Sequence, residues 1–149
     1  MDYDSRNPFA RILRGELPSV KVYEDEHTLA IMDIMPQAEG HVLVLPKEPA
    51  VELFTLSDDS AAACIRTTKK VAAAVKTAMA APGVMVAQFN GAAAGQTVPH
   101  VHFHIVPRHQ AAALRPHAAE PADGAQLRAI ADRIIATLAA QDNTTGSSA

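Results

Sequence analysis

Apolar positions along the chain fall into blocks with two periods, and the blocks predict the order of elements. Phe9, Ile12 and Leu13 stand at helical spacing between Pro8 and Gly15, so the first block is a short helix that Gly15 ends. The period then drops to two. Val20-Lys21-Val22-Tyr23 alternates, Asp25-Glu26 supplies a turn, and Thr28 to Ile34 is a second, mostly apolar run, together a hairpin. Pro36 and Gly40 bracket a loop before a third strand, His41 to Leu45, which Pro46 ends. Ser57 is an N-cap for a long Ala-rich helix that reaches about Ala81 and stops at Pro82-Gly83. Val84 to Phe89 predicts a fourth strand, Asn90 to Gly95 a loop of small residues, and Val101 to Val106 a fifth strand. Residues 108–123 have no clear period and predict an irregular surface segment. Leu127, Ile130, Ile134, Ile135 and Leu138 then mark a last helix over about 124–140, and the polar, small residues 141–149 predict a disordered tail.

Strands grouped around one long helix, with a short N-terminal and a C-terminal helix, predict a single α+β domain over residues 1–140, its core at about 7–108 and its sheet mainly antiparallel. Composition narrows the class further. The 149 residues are 48% apolar but only 4% aromatic, with no Trp, so Val, Ile, Leu and Ala must build the core. A formal charge of −3, from 13 basic and 16 acidic side chains, argues against a broad nucleic-acid surface. No apolar run approaches the roughly 20 residues that span a bilayer, and Met1 to Asp4 lacks the basic and apolar regions of a signal peptide. The expectation is a cytoplasmic protein with no membrane partner. Cys64 is the only cysteine and lies in an apolar helical stretch, which predicts a buried, inert thiol.

The chemistry concentrates in Gly95-Gln96-Thr97-Val98-Pro99-His100-Val101-His102-Phe103-His104. On a strand, alternate side chains share a face, so His100, His102 and His104 project to one side while Val101, Phe103 and Ile105 enter the core. A shared metal ion is one reading of such a set. The outer pair would lie about 13 Å apart at roughly 3.3 Å per residue, too far for one ion with bonds near 2.1 Å. Phosphoryl chemistry uses all three better. A neutral imidazole is a competent nucleophile near neutral pH, and its neighbours can donate hydrogen bonds to phosphate oxygens. The preceding loop offers Gly91 and Gly95 for close backbone approach, and Asn90, Gln96 and Thr97 as polar donors.

His100-Val-His-Phe-His-Ile-Val resembles the His-x-His-x-His-x-x signature, x being apolar, of the histidine triad (HIT) family of nucleotide hydrolases and transferases. The likeness extends through Val22 to Glu26, Asp33-Ile34, Pro36, Gly40 to Val44, Pro46-Lys47 and Gly95 to Val98, over about residues 7–108. The last helix is similar to that of bacterial members, the Hit/Hint-like branch. The resemblance implies a homodimer whose five-stranded sheets join, and a purine nucleotide substrate whose α-phosphate is attacked. By position in the motif, His102 is the expected nucleophile, held by the backbone carbonyl of His100; His100 orients it and His104 contacts phosphate and leaving group. His41, Asn90, Gly95, Gln96 and Thr97 are expected around the phosphate, Asp33 at the ribose, and Phe9, Ile12, Leu17, Ile31 and Ile34 against the base.

Plainer roles exist for several of these: His41 as a structural or capping residue, Asp33 as a turn residue, and Phe9 and Ile12 as the apolar side of a helix. His27, His109 and His117 read as surface residues, and Arg108 as a solvated strand end. Bacterial relatives hold a structural zinc through Cys-x-x-Cys, a later His and the first triad His; the matching positions here are Asn7, Ala10 and Pro49, so no structural zinc or other cofactor is expected. His104 in place of Gln favours the hydrolase branches over the nucleotide-sugar transferases. Three functions stay open on sequence grounds: a nucleoside phosphoramidase, a dinucleoside polyphosphate hydrolase, and a nucleotide-binding protein without turnover.

Overall fold

The strand-forming runs pair into one sheet with order β1-β2-β3-β5-β4, where β1 is Lys21–Glu24, β2 Thr28–Met32, β3 Val42–Pro46, β4 Gly83–Gln88 and β5 Phe103–Arg108. Every neighbouring pair is antiparallel. Three helices accompany it: α1 (Pro8–Leu13), α2 (Asp58–Ala78) and α3 (Gly124–Ser147). This computed structural model describes residues 2–110, 112–116 and 120–147. The α+β arrangement of five antiparallel strands with one long helix is the one the sequence pattern predicts.

The period of two sorts side chains between two layers. Val22, Ala30, Met32, Val42, Val44, Phe103 and Ile105 face α2 and α3, where Cys64, Val71, Ala74, Val75, Ile130 and Ile134 meet them. Leu29, Ile31, Leu43 and Leu45 face the other way and pack on Phe9 of α1. Both faces of β2 and β3 are therefore covered, and all ten of their residues are buried, which explains why Thr28 to Met32 shows no polar alternation. α2 begins where Ser57 accepts from the Ser60 N–H at 3.2 Å, with Asp58 and Asp59 in the first turn. It stops at Ala78, three residues before the sequence-based limit. Ala80 adopts a left-handed φ of 49°, and the Ala81 N–H turns back to the Lys76 carbonyl at 3.0 Å.

The strands β1 to β4 shift by one or two residues from their expected bounds, and two larger differences have a physical cause. β5 begins at Phe103, not Val101, so His100 and His102 precede the strand. The ladder with β3 ends at Val44↔Phe103 because Pro46 has no N–H to give and its carbonyl accepts from the His100 ring; the Val101 N–H goes instead to the Ala50 carbonyl. The alternation nonetheless survives, with Val101 packing on Ala50 and Leu56 away from the histidines. Pro107 lies within β5, past the last β3 pair at Val42↔Ile105, where no β3 residue needs its missing donor. α3 is the second case. It continues through Ser147 where a disordered tail over 141–149 was expected, with Lys70 of α2 reaching Asp142 at 3.8 Å; residues 148–149 lie outside the described residues.

The described part of residues 108–123 is irregular and follows the loop after β2, with the Arg115 N–H on the Gln37 carbonyl and the Ala122 N–H on the Ile34 carbonyl, both at 2.8 Å. His27 and His109 are exposed, whereas His117 lies outside the described residues. Among the described residues, no helix is long and apolar enough to cross a membrane.

Candidate active site

On the α1 side of the sheet, Phe9, Ile12, Leu17, Ile31, Asp33 and Ile34 line a cavity of about 430 Å³. Apolar side chains dominate its wall, and Asp33 puts a carboxylate at its edge. Six residues assigned to ribose and base from the sequence thus meet in one place, the strands supplying Ile31, α1 supplying Phe9 and Ile12, and the turns supplying the rest. Phe9 also joins the cavity to the histidines, since its ring meets that of His102 edge-on with centroids 4.8 Å apart.

Four buried imidazoles stand beside this cavity, and a backbone group fixes the tautomer of each of the first three described. The Nδ1 of His102 lies 2.6 Å from the His100 carbonyl, which can only accept, so Nδ1 carries the proton and the ring lone pair sits on Nε2. The Nε2–H of His100 donates to the Pro46 carbonyl at 2.9 Å, which leaves Nδ1 to accept from the Tyr3 hydroxyl at 2.7 Å. The Nδ1 of His41 accepts the Gln37 N–H at 3.0 Å, so its proton is on Nε2 and points at His104 Nδ1, also 3.0 Å away. His104 then carries its own proton on Nε2. The His102 and His104 rings are tilted at 4.9 Å between centroids, with Phe89 against His104 at 5.1 Å. Burial holds His100 below the usual imidazole range, against the opposing pull of the Pro46 carbonyl.

The loop between β4 and β5 is held in shape by its own polar groups. Gly91 (φ 91°) and Gly95 (φ 107°) bracket a tight turn at Ala92–Ala94 in backbone conformations that side chains rarely adopt. Its polar groups are largely spent on holding its shape. Gln96 accepts the Gly91 N–H at 2.8 Å and donates to the carbonyls of Val51 (2.7 Å) and Val98 (2.9 Å). Asn90 accepts the Leu53 N–H at 2.8 Å and exchanges hydrogen bonds with Gln88 at 2.8 and 3.0 Å. The N–H groups of Ala94, Gly95 and Gln96 turn back into the loop. Asn90 and Gln96 are clamps, therefore, while Thr97 is exposed at the loop's end.

Asp33, His41 and His104 place ligand atoms within 4.8 Å of one another. Hydrogen bonding accounts for that closeness. To bind an ion through Nε2, His41 would need its proton on Nδ1, where the Gln37 N–H already points. Asp33 is engaged as well, its Oδ1 taking the Met35 N–H at 2.8 Å and its Oδ2 lying 3.4 Å from His41 Nε2. The N-terminal corner does not fit a structural zinc either. Asn7 caps α1 through Oδ1 and donates from Nδ2 to the Asp4 carbonyl, Ala10 and Pro49 carry no donor atoms, and His100 Nδ1 meets Tyr3.

Sequence reasoning missed Tyr3, Gln37 and Gln88, and gave no role to the Pro46 carbonyl. Two of these contributions, from Gln37 and Pro46, are backbone groups, which no residue type announces. Cys64 is fully buried, as expected, and burial with the charges of Asp25 and Glu48 pushes its thiol up to about 12.

The chain is similar to several known proteins. The Adenosine 5'-monophosphoramidase hnt1 of Schizosaccharomyces pombe is 43% identical over 100 residues, covering 67% of this chain and 72% of that protein. Protein hit of Bacillus subtilis is 40% identical over 101 residues, 68% of this chain and 70% of the other. A Hit-like protein of Bartonella henselae involved in cell-cycle regulation superposes with a TM-score of 0.86 at 43% identity, over 91% of this chain and 99% of its own. A Zn-bound histidine triad family protein of Mycobacterium smegmatis does so with 0.79 at 32%, over 91% and 95%. The HIT domain profile matches residues 14–111, from the end of α1 through the whole sheet and the three histidines, and the chain belongs to the HIT family.

Proposed function

We propose that the chain hydrolyses a purine nucleoside monophosphate joined to an amine, through a covalent nucleotidyl intermediate on His102. One observation carries the reading: His102 has its proton held on Nδ1 by the His100 carbonyl, so the lone pair lies on Nε2, next to a cavity of nucleoside size that shares Phe9 with it. In this reading His102 Nε2 forms the bond to the α-phosphorus as the P–N bond to the amine breaks, and the leaving nitrogen departs after taking up a proton. His104 donates from Nε2–H to the phosphate, with His41 keeping that tautomer in place. Water then cleaves the bond to His102 and releases the nucleoside monophosphate. Asp33 would accept from the ribose, and Ile12, Leu17, Ile31 and Ile34 would enclose the base. Gly95 and Thr97 would border the phosphate at the end of the loop that Asn90 and Gln96 brace. Relatives named as adenosine monophosphoramidases, from Schizosaccharomyces pombe and Candida albicans, support hydrolysis of a nucleotide conjugate.

The leaving group in this reading is an amine, as the names of the Schizosaccharomyces pombe and Candida albicans relatives suggest. A second cavity, about 220 Å³, runs along the same loop between Val51, Glu52, Gly91, Gln96 and Pro99. We also place the enzyme in the cytoplasm as a homodimer. Edge strand β4, with Val86 half exposed, supports pairing of two sheets. The test is turnover of adenosine 5'-phosphoramidate against a diadenosine polyphosphate, with rapid quenching and intact mass spectrometry. The expected result is release of AMP and ammonia, faster than any polyphosphate cleavage, and an adenylylated chain that His102→Asn abolishes without unfolding. Faster cleavage of the polyphosphate would assign the alternative substrate. No turnover of either, or normal turnover in His102→Asn, overturns the reading.

A further inference from the structure

We propose that Tyr3 is a positioning residue for His102, acting through His100, a role that rests on the phosphoramidase reading only for its kinetic consequence. His100 is fully buried and held from two sides: its Nε2–H donates to the Pro46 carbonyl at 2.9 Å, and the Tyr3 hydroxyl donates to its Nδ1 at 2.7 Å. The carbonyl of the same residue anchors His102 Nδ1 at 2.6 Å. Ring and carbonyl belong to one short segment, so whatever fixes the His100 ring fixes the acceptor that orients the neighbouring imidazole.

The phenol also completes the tautomer that the Pro46 carbonyl sets. With its hydroxyl gone, Nδ1 of His100 is a buried acceptor with no donor in place. Moving the proton to Nδ1 would cure that but would set the Nε2 lone pair against the Pro46 carbonyl oxygen. Either outcome loosens the ring. The arrangement is built rather than incidental, because the segment carrying Tyr3 is pinned to α1. The Asp4 carbonyl accepts from both the backbone N–H (3.1 Å) and Nδ2 (2.8 Å) of Asn7, and Arg14 donates to the Ser5 carbonyl at 2.7 Å. The Tyr3 and His100 rings meet edge-on, 5.6 Å between centroids at 67°, and Phe9 meets His100 and His102 in the same manner.

The test combines ¹⁵N spectra of the imidazoles with kinetics on the intact chain and on Tyr3→Phe, which keeps the ring and removes only the hydroxyl. In the unmodified protein, His100 is expected to be protonated on Nε2 alone and His102 on Nδ1 alone. In Tyr3→Phe, the His102 Nδ1–H signal weakens or becomes mixed, and kcat for adenosine 5'-phosphoramidate falls about five-fold while KM stays within about two-fold. A His100 protonated on Nδ1 in the unmodified protein, or an unchanged His102 spectrum together with unchanged kcat in Tyr3→Phe, overturns the proposal. Should Tyr3→Phe not fold, the His100 tautomer in the unmodified chain decides. Should the unmodified chain turn over no phosphoramidate, the functional reading falls while the His102 spectra still decide the role of Tyr3.

Discussion

Replacing Gln96 by Ala separates a clamp from a substrate ligand. The substitution removes three hydrogen bonds at once: one accepted from the Gly91 N–H at 2.8 Å and two donated to the Val51 and Val98 carbonyls at 2.7 and 2.9 Å. At about 1 kcal/mol for each, less a discount because the residue is only half buried, the loss is about 2–3 kcal/mol. For a chain of this length that corresponds to a fall of about 5–10 °C in Tm. Thermal and urea unfolding monitored by circular dichroism measure it, and the urea m-value should stay constant while the midpoint drops. Gly91 and Gly95 hold positive φ angles that the clamp maintains, so KM for the phosphoramidate should rise as the loop relaxes. A Tm within about a degree of the unmodified protein, with turnover nonetheless lost, would mean that Gln96 works on the substrate directly and that the clamp is wrong.

Burial keeps the folded pKa of His100 below its unfolded value near 6.5, so the unfolded chain binds the proton first as pH falls. Stability is then fully present above about pH 6.5 and declines as pH drops toward the folded value; urea midpoints at about pH 7.5 and 5.5 should differ in that direction, and a flat profile counts against it. Cys64 should resist a thiol reagent at about pH 8 in the native state and react fully in denaturant, and rapid native labelling would contradict its burial and its raised pKa of about 12. Ala80→Gly should stabilise the protein by about 0.5–1 kcal/mol in urea titrations, since a residue at φ 49° closes α2 and glycine adopts that geometry without the Cβ penalty. A lower midpoint would show that the Ala80 methyl has a packing role.

Most of the fold is legible in the sequence because period and punctuation agree, as in Ser57 before α2 and Pro36 with Gly40 before β3. The failures sit where hydrogen bonds override pattern. β5 starts two residues late because Pro46 cannot extend the ladder and gives its carbonyl to His100. α3 outruns its apolar stripe although Asp142 to Ser147 are poor helix formers, and Lys70 of α2 reaches Asp142 at 3.8 Å. In the site, the side chains that form the cavity wall were found from the family likeness, as Phe9 and Asp33 illustrate. Asn90 and Gln96 also brace their loop through Leu53, Gln88, Val51 and Val98, partners that residue type alone does not announce. Asp33 turns out to serve a turn as well as the cavity edge, through the Met35 N–H.

The closing of the N-terminal corner by a phenol and a carboxamide has a consequence for how the protein matures. The bonds of that corner, Tyr3 to His100 and Asn7 to Asp4 and Ala10, join atoms of the chain itself, so this corner closes in the same step that docks α1 on the sheet. Loss of either side chain should therefore loosen α1 and the His100 ring together rather than one without the other.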